Sequence, residues 1–91
     1  MRVAFKSSFD RAYKKLPAQD QEAVDDAIAA LQGFVGKSAA PPHGIGMKRL
    51  SSEFWEARVG LRLRVLLGIV NDTIAFYFVG DHDAVRRFLQ N

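Results

Sequence analysis

The chain has no cysteine, so neither a disulfide framework nor a thiolate metal site supplements its core. Its two histidines, His43 and His82, are far apart in sequence and make a poor ligand set, so no metal and no small-molecule cofactor is expected. Proline is scarce, and two of the three residues stand together at Pro41–Pro42. No apolar run approaches the roughly 20 residues that span a bilayer, so no membrane association is expected. The opening MRVAFKSSF lacks an apolar core and a small-residue cleavage site, which reads as a cytoplasmic protein. Neither sign of charge prevails: 13 Lys and Arg against 10 Asp and Glu leave +3, which permits an anionic partner without requiring one.

What is present is an ordinary globular composition, 48% hydrophobic and 25% charged over 91 residues, enough for one domain, 1–91. RVAFK alternates like a short strand, with Val3 and Phe5 on one face. Ser7 or Ser8 can cap a helix whose apolar stripe is Phe9, Ala12, Tyr13 and Leu16. Pro17 ends that helix or begins the next. Val24, Ala27, Ile28, Leu31 and Phe34 mark the second helix. Asp20, Glu22, Asp25 and Asp26 read as a solvated start that complements the helix dipole, with Gly36 as a stop. KSAAPPHGIG is a surface connector, and His43 within it is left without a role.

Four strand-like runs follow: MKRL, FWEARV, LRLRVLLGIV and TIAFYFV. DHDAVRRFLQN reads as a short helix with Asp81 as cap and Val85, Phe88 and Leu89 facing inward. The expected fold is therefore a two-layer α+β domain. Its N-terminal strand and two helices pack on a mainly antiparallel sheet, followed by a short C-terminal helix.

Within FWEARVGLRLRVLLGIV the even positions carry Glu56, Arg58, Arg62 and Arg64, while the odd ones are apolar, including Trp55 on the face the helices cover. A two-residue turn at Asn71–Asp72 would pair Ile69 with Ile74, Leu67 with Phe76 and Val65 with Phe78 on the covered face. On the open face it would pair Gly68 with Ala75, Leu66 with Tyr77 and Arg64 with Val79. A turn around Gly60 then sets Arg58 opposite Arg62 or opposite Arg64, according to its length. Like charges directly opposed destabilise a sheet by a few tenths to about 1 kcal/mol. A chain that tolerates this can be holding an anion, because guanidinium forks match phosphate. The alternative is that the arginine stems cover apolar surface while their heads stay in water. His82, in the first turn of the last helix, is a candidate proton acceptor near neutral pH. Tyr77 could stack a base or fill the sheet. Lys48 and Arg49 flank the same region on faces that the sequence leaves open. Arg86 and Arg87 read as solvated.

The order of elements, together with MKRL, WEARVGLRLRVLL and FYFVGDHDAVRRFL, resembles the RelE/ParE toxin superfamily of bacterial type II toxin–antitoxin modules. The resemblance covers nearly the whole chain and is strongest from Met47 to Leu89. It implies a toxin partnered by a cognate antitoxin that covers its basic groove. It also implies a metal-independent endoribonuclease that cuts mRNA on the ribosome and inhibits translation. Carried over by position, Arg64 would stabilise the phosphorane, Arg58 would supply a second cation, and His82 would move a proton with Glu56 as a second such group. Lys48, Arg49, Arg62 and Tyr77 would hold RNA. The sequence departs from RelE in having Phe88 near the place of a tyrosine in the final helix. A ParE-like inhibitor of DNA gyrase that does no chemistry, and an inactive member that only binds its antitoxin, are the other readings.

Overall fold

The computed structural model describes residues 2–34 and 46–91. Gly36, His43 and the connector up to residue 45 lie outside the described residues, as does the side chain of Phe34, while Gly46, expected in the connector, begins a strand. The elements are β1 (Arg2–Phe5), α1 (Ser7–Lys14), α2 (Ala18–Phe34), β2 (Gly46–Arg49), β3 (Trp55–Val59), β4 (Leu63–Val70), β5 (Thr73–Asp81) and α3 (His82–Gln90). The strands form one sheet in the order β1-β5-β4-β3-β2, parallel only between β1 and β5. This is the α+β arrangement that the periodicities imply.

The odd positions of β4 point into the main core. Leu63, Val65 and Leu67 are buried there with Ile74, Phe76 and Val79 of β5, and α1 and α2 close over them with Phe9, Val24, Ala27 and Leu31. Burying such side chains contributes roughly 1.5–3 kcal/mol each and is the main force holding the two layers together. Phe5, Phe9 and Phe76 form an aromatic triangle with ring centroids 5.4–5.8 Å apart, which ties β1 and α1 to β5. The Tyr13 hydroxyl donates to Asp25 at 2.7 Å and links α1 to α2. That hydrogen bond, with lesser contributions from burial and the carboxylate charge, raises the phenol pKa above 10.0. The link is therefore complete below pH 10 and is lost only as the pH rises through the raised value.

Local chemistry departs from expectation at two helix starts. Neither Ser7 nor Ser8 caps α1. Lys6 occupies the N-cap without a side-chain bond, and its carbonyl accepts from the Phe9 and Asp10 amides. Asp20 is not part of a solvated acidic face. It is buried in the first turn of α2, where it accepts from Arg62 at 3.1 Å. Pro17 stands before α2, and its carbonyl receives the amides of Asp20 and Gln21.

The β4–β5 hairpin begins as the turn dictates. Asn71 takes φ 56°, a left-handed conformation that asparagine tolerates, and Ile69, Gly68 and Leu67 meet Ile74, Ala75 and Phe76. The register then shifts: Leu66 pairs with Phe78, Val65 with Val79 and Arg64 with Gly80. Tyr77 is the extra residue of a β-bulge. Its carbonyl accepts a hydrogen bond from the Ser8 hydroxyl, so the serine expected to cap α1 instead ties α1 to the bulge.

The shift moves Phe78 off the α1/α2 face. Phe78 stacks on Phe88 of α3, with centroids 4.7 Å apart and planes at 15°. Leu66 and Val85 are buried outside the main cluster, so α3 covers part of the opposite face of the sheet. Leu89, expected to face inward, is 39% exposed.

Removing the bulge's side-chain donor tests this account. Ser8→Ala should lower unfolding free energy by about 1 kcal/mol in urea titrations, the ordinary worth of such a bond. Leu61→Ala, at a side chain 95% exposed, should stay within about 0.5 kcal/mol of the parent.

Candidate nucleic-acid interface

β3 and β4 pair so that Arg58 lies directly opposite Arg64 and Glu56 opposite Leu66. Of the two registers that the Gly60 turn allowed, this is the one that sets Arg58 opposite Arg64 rather than Arg62. Gly60 itself has φ 64°, which suits a residue without a side chain. On the next strand Lys48 pairs with Glu56. Lys48, Glu56, Arg58 and Arg64 therefore share one face, with three cations to one carboxylate.

The two arginines differ in freedom. Arg64 is 13% exposed; its Nε lies 3.6 Å from the Glu56 carboxylate and its Nη1 donates to the Leu63 carbonyl at 3.0 Å. Glu56 is 15% exposed, so both partners of this pair are largely covered. Arg58, by contrast, is exposed. Glu56 offsets one like charge and fixes Arg64 in place, leaving Arg58 and Lys48 open to an anion.

The bulge brings α3 to this group. It sets Gly80 opposite Arg64, and Ala84 sits so close over Gly80 that a Cβ there would lie 3.0 Å from the Ala84 methyl. Asp81 caps α3 by accepting from the Ala84 amide at 2.8 Å. His82 follows as the first helical residue, exposed and two positions beyond the residue that opposes Arg64.

Three sequence candidates fall elsewhere. Arg49 pairs with Trp55 on the opposite face, its guanidinium 5.7 Å from the Trp55 ring and its Nε bonded to the Ser51 carbonyl. Arg62 lies in the turn rather than on the strand face and is committed to Asp20. Tyr77 does not stand beside Leu66. It packs over Gly68 and meets Phe54 edge-on, with centroids 5.1 Å apart. Gly68 is four residues along β4 from Arg64, about 13 Å at strand rise. Trp55, expected in the core, packs against it partly buried. One cation was missed: the Lys6 Nζ lies 5.6 Å from the Tyr77 ring centroid. Without the bulge, nothing in the sequence connects those two residues.

Among the described residues, no three of the usual ligand types gather closely enough to hold a metal ion. No helix there is long and apolar enough to cross a membrane.

Arg62 provides a direct check. It is 68% exposed, so its bridge to Asp20 is worth at most about 1 kcal/mol. Arg62→Ala should leave the affinity for a short RNA oligonucleotide unchanged in filter binding, whereas Arg58→Ala should lower it and flatten its salt dependence by about one unit of slope.

No family model matches the chain, and no curated protein matches it by sequence. Its fold matches solved structures of RelE and YafQ toxins. One is a chain of the RelB–RelE antitoxin–toxin complex from Methanococcus jannaschii, 19% identical, with a TM-score of 0.73 over 94% of this chain and 98% of that one. Another is a metal-bound toxin from Helicobacter pylori, 17% identical, with a TM-score of 0.74 over 93% and 98%. A third is the isolated E. coli RelE toxin, 12% identical, with a TM-score of 0.68 over 96% and 97%.

Proposed function

We propose that this protein is the toxin of a type II toxin–antitoxin module and a metal-independent endoribonuclease that cuts mRNA on the ribosome. The observation that carries this reading is the opposed pair Arg58 and Arg64, with His82 at the adjoining helix start. A pure binding protein has no need of a proton-transfer group beside an opposed pair of cations. The fold shared with RelE and YafQ toxins supports the same reading.

In the proposed reaction a ribose 2′-oxygen attacks the adjacent phosphorus and the bond to the 5′-oxygen of the next nucleotide breaks. The products are a 2′,3′-cyclic phosphate and a free 5′-hydroxyl. One proton leaves the 2′-hydroxyl and one reaches the departing oxygen. His82 is assigned one of these transfers, since an imidazole accepts and returns protons near neutrality. Arg64 and Arg58 offset the negative charge that builds on the non-bridging oxygens. Glu56 is engaged with Arg64 and largely covered, so it is assigned the orientation of that guanidinium rather than a proton transfer. Lys48, across from Glu56, holds the RNA backbone as it enters.

Primer extension on cellular mRNA after brief induction tests the reading. The wild-type protein should give cuts phased to codons. His82→Ala and Arg64→Ala should reduce them by about a hundredfold or more while leaving circular dichroism unchanged. Growth arrest without cuts would replace this reading with the gyrase one, and no arrest at all would indicate an inactive copy.

A further inference from the structure

α3 has two flanks with different surroundings. Asp81 at its cap, Ala84 and Phe88 line a groove shared with Ser8, Arg11 and Lys15 of α1, along the edge of β5 that β4 does not occupy. Val85, fully buried, lies beneath the helix. At about 3.6 residues per turn, His82, Arg86 and Leu89 then fall on the flank opposite the groove. That flank looks from β5 across β4 to β3 and β2, where Arg64, Glu56, Arg58 and Lys48 share a face. α1 and α2 close over the other face, so among the described elements α3 is the helix that overhangs these residues. Arg87 falls about 200° around the helix from Val85 and points away from the sheet.

Leu66 and Val85 are both buried outside the main core, and together they mark where α3 crosses β4. Leu66 opposes Glu56 on β3, so Arg86, next to Val85 in sequence, stands level with Glu56 rather than with Arg64. His82 precedes Arg86 by four residues, a spacing that makes them neighbours on one side of a helix. Arg86 is exposed and has no ion-pair partner among the described residues, while Glu56 is already paired with Arg64. We infer that Arg86 holds a second phosphate of the RNA, next to the one that lies between Arg58 and Arg64. This rests on the endonuclease reading. A strand whose reacting phosphate sits beside Arg64 and His82 continues along α3, and Arg86 is the cation it meets there. Its guanidinium fork can reach two phosphate oxygens at once. Arg86 is thus an RNA-binding residue and takes no part in the proton transfers, whereas Arg87 stays in water.

The adjacent arginines supply the test, because they share charge and exposure but not direction. Filter binding of a short single-stranded RNA oligonucleotide is measured over a range of salt concentrations. Arg86→Ala should raise Kd about fivefold to tenfold and flatten the salt dependence by about one unit of slope. Arg87→Ala should change Kd by less than about twofold and leave the slope alone. Arg86→Lys should keep the slope, since a point charge remains, while losing part of the affinity. In primer extension, the cuts made by Arg86→Ala should weaken at low induction and recover at high induction, whereas those of His82→Ala should not recover. Circular dichroism should be unchanged throughout, because every substituted side chain is exposed. Equal losses in Arg86→Ala and Arg87→Ala, or no loss in Arg86→Ala, would overturn the inference. In either case, cuts that vanish in His82→Ala leave the endonuclease reading standing. A wild-type protein that neither binds RNA nor cuts it overturns both.

Discussion

The single extra residue at Tyr77 sets much of what this molecule can do. Up to Phe76 the β4–β5 hairpin follows its two-residue turn, and every side chain falls on the face that alternation assigns. One inserted residue then reverses the assignment for the rest of β5. Val79 enters the main core, Phe78 leaves it, and Gly80 arrives opposite Arg64. α3 can pack on the second face only because Phe78 is there to stack on Phe88 and because Gly80 leaves room for Ala84. The bulge is held by α1, through the Ser8 hydroxyl on the Tyr77 carbonyl. A helix on one side of the sheet thus secures the placement of a helix on the other.

The charge pattern follows the same economy. Opposing two arginines across a strand pair is unfavourable, and Glu56 relieves only one of them. Arg64 is covered, oriented and partly neutralised, while Arg58 remains exposed. This arrangement presents one held guanidinium and one exposed one, which suits a ligand bearing a doubly contacted phosphate. Arg62, which on composition belongs to the same row, is instead spent on Asp20 and anchors the β3–β4 turn to the start of α2.

Much of this could be read from the sequence. The two helices, the strand runs, the Asn71–Asp72 turn, the Asp81 cap and the shared face of Glu56, Arg58 and Arg64 all follow from local periodicity and turn chemistry. Other features do not. Arg49 and Lys48 are neighbours, and which of them shares a face with Glu56 depends on the pairing of β2 with β3. Asp20 looks like any other acidic residue in a first helical turn until Arg62 is brought to it from 42 positions away. The bulge is invisible because TIAFYFVGD alternates acceptably in either register.

The sequence by itself determined the elements, their order and the alternation that makes one face of the sheet apolar, because these depend on residues within a few positions of one another. Tertiary structure decided the opposition of Arg58 and Arg64, the pairing of Gly80 with Arg64 two residues before His82, and the groove between α1 and α3. Each of these depends on strand register or helix docking. The free energy that selects a register comes from contacts between distant segments, such as Ser8 with Tyr77 and Phe78 with Phe88, which local pattern does not encode.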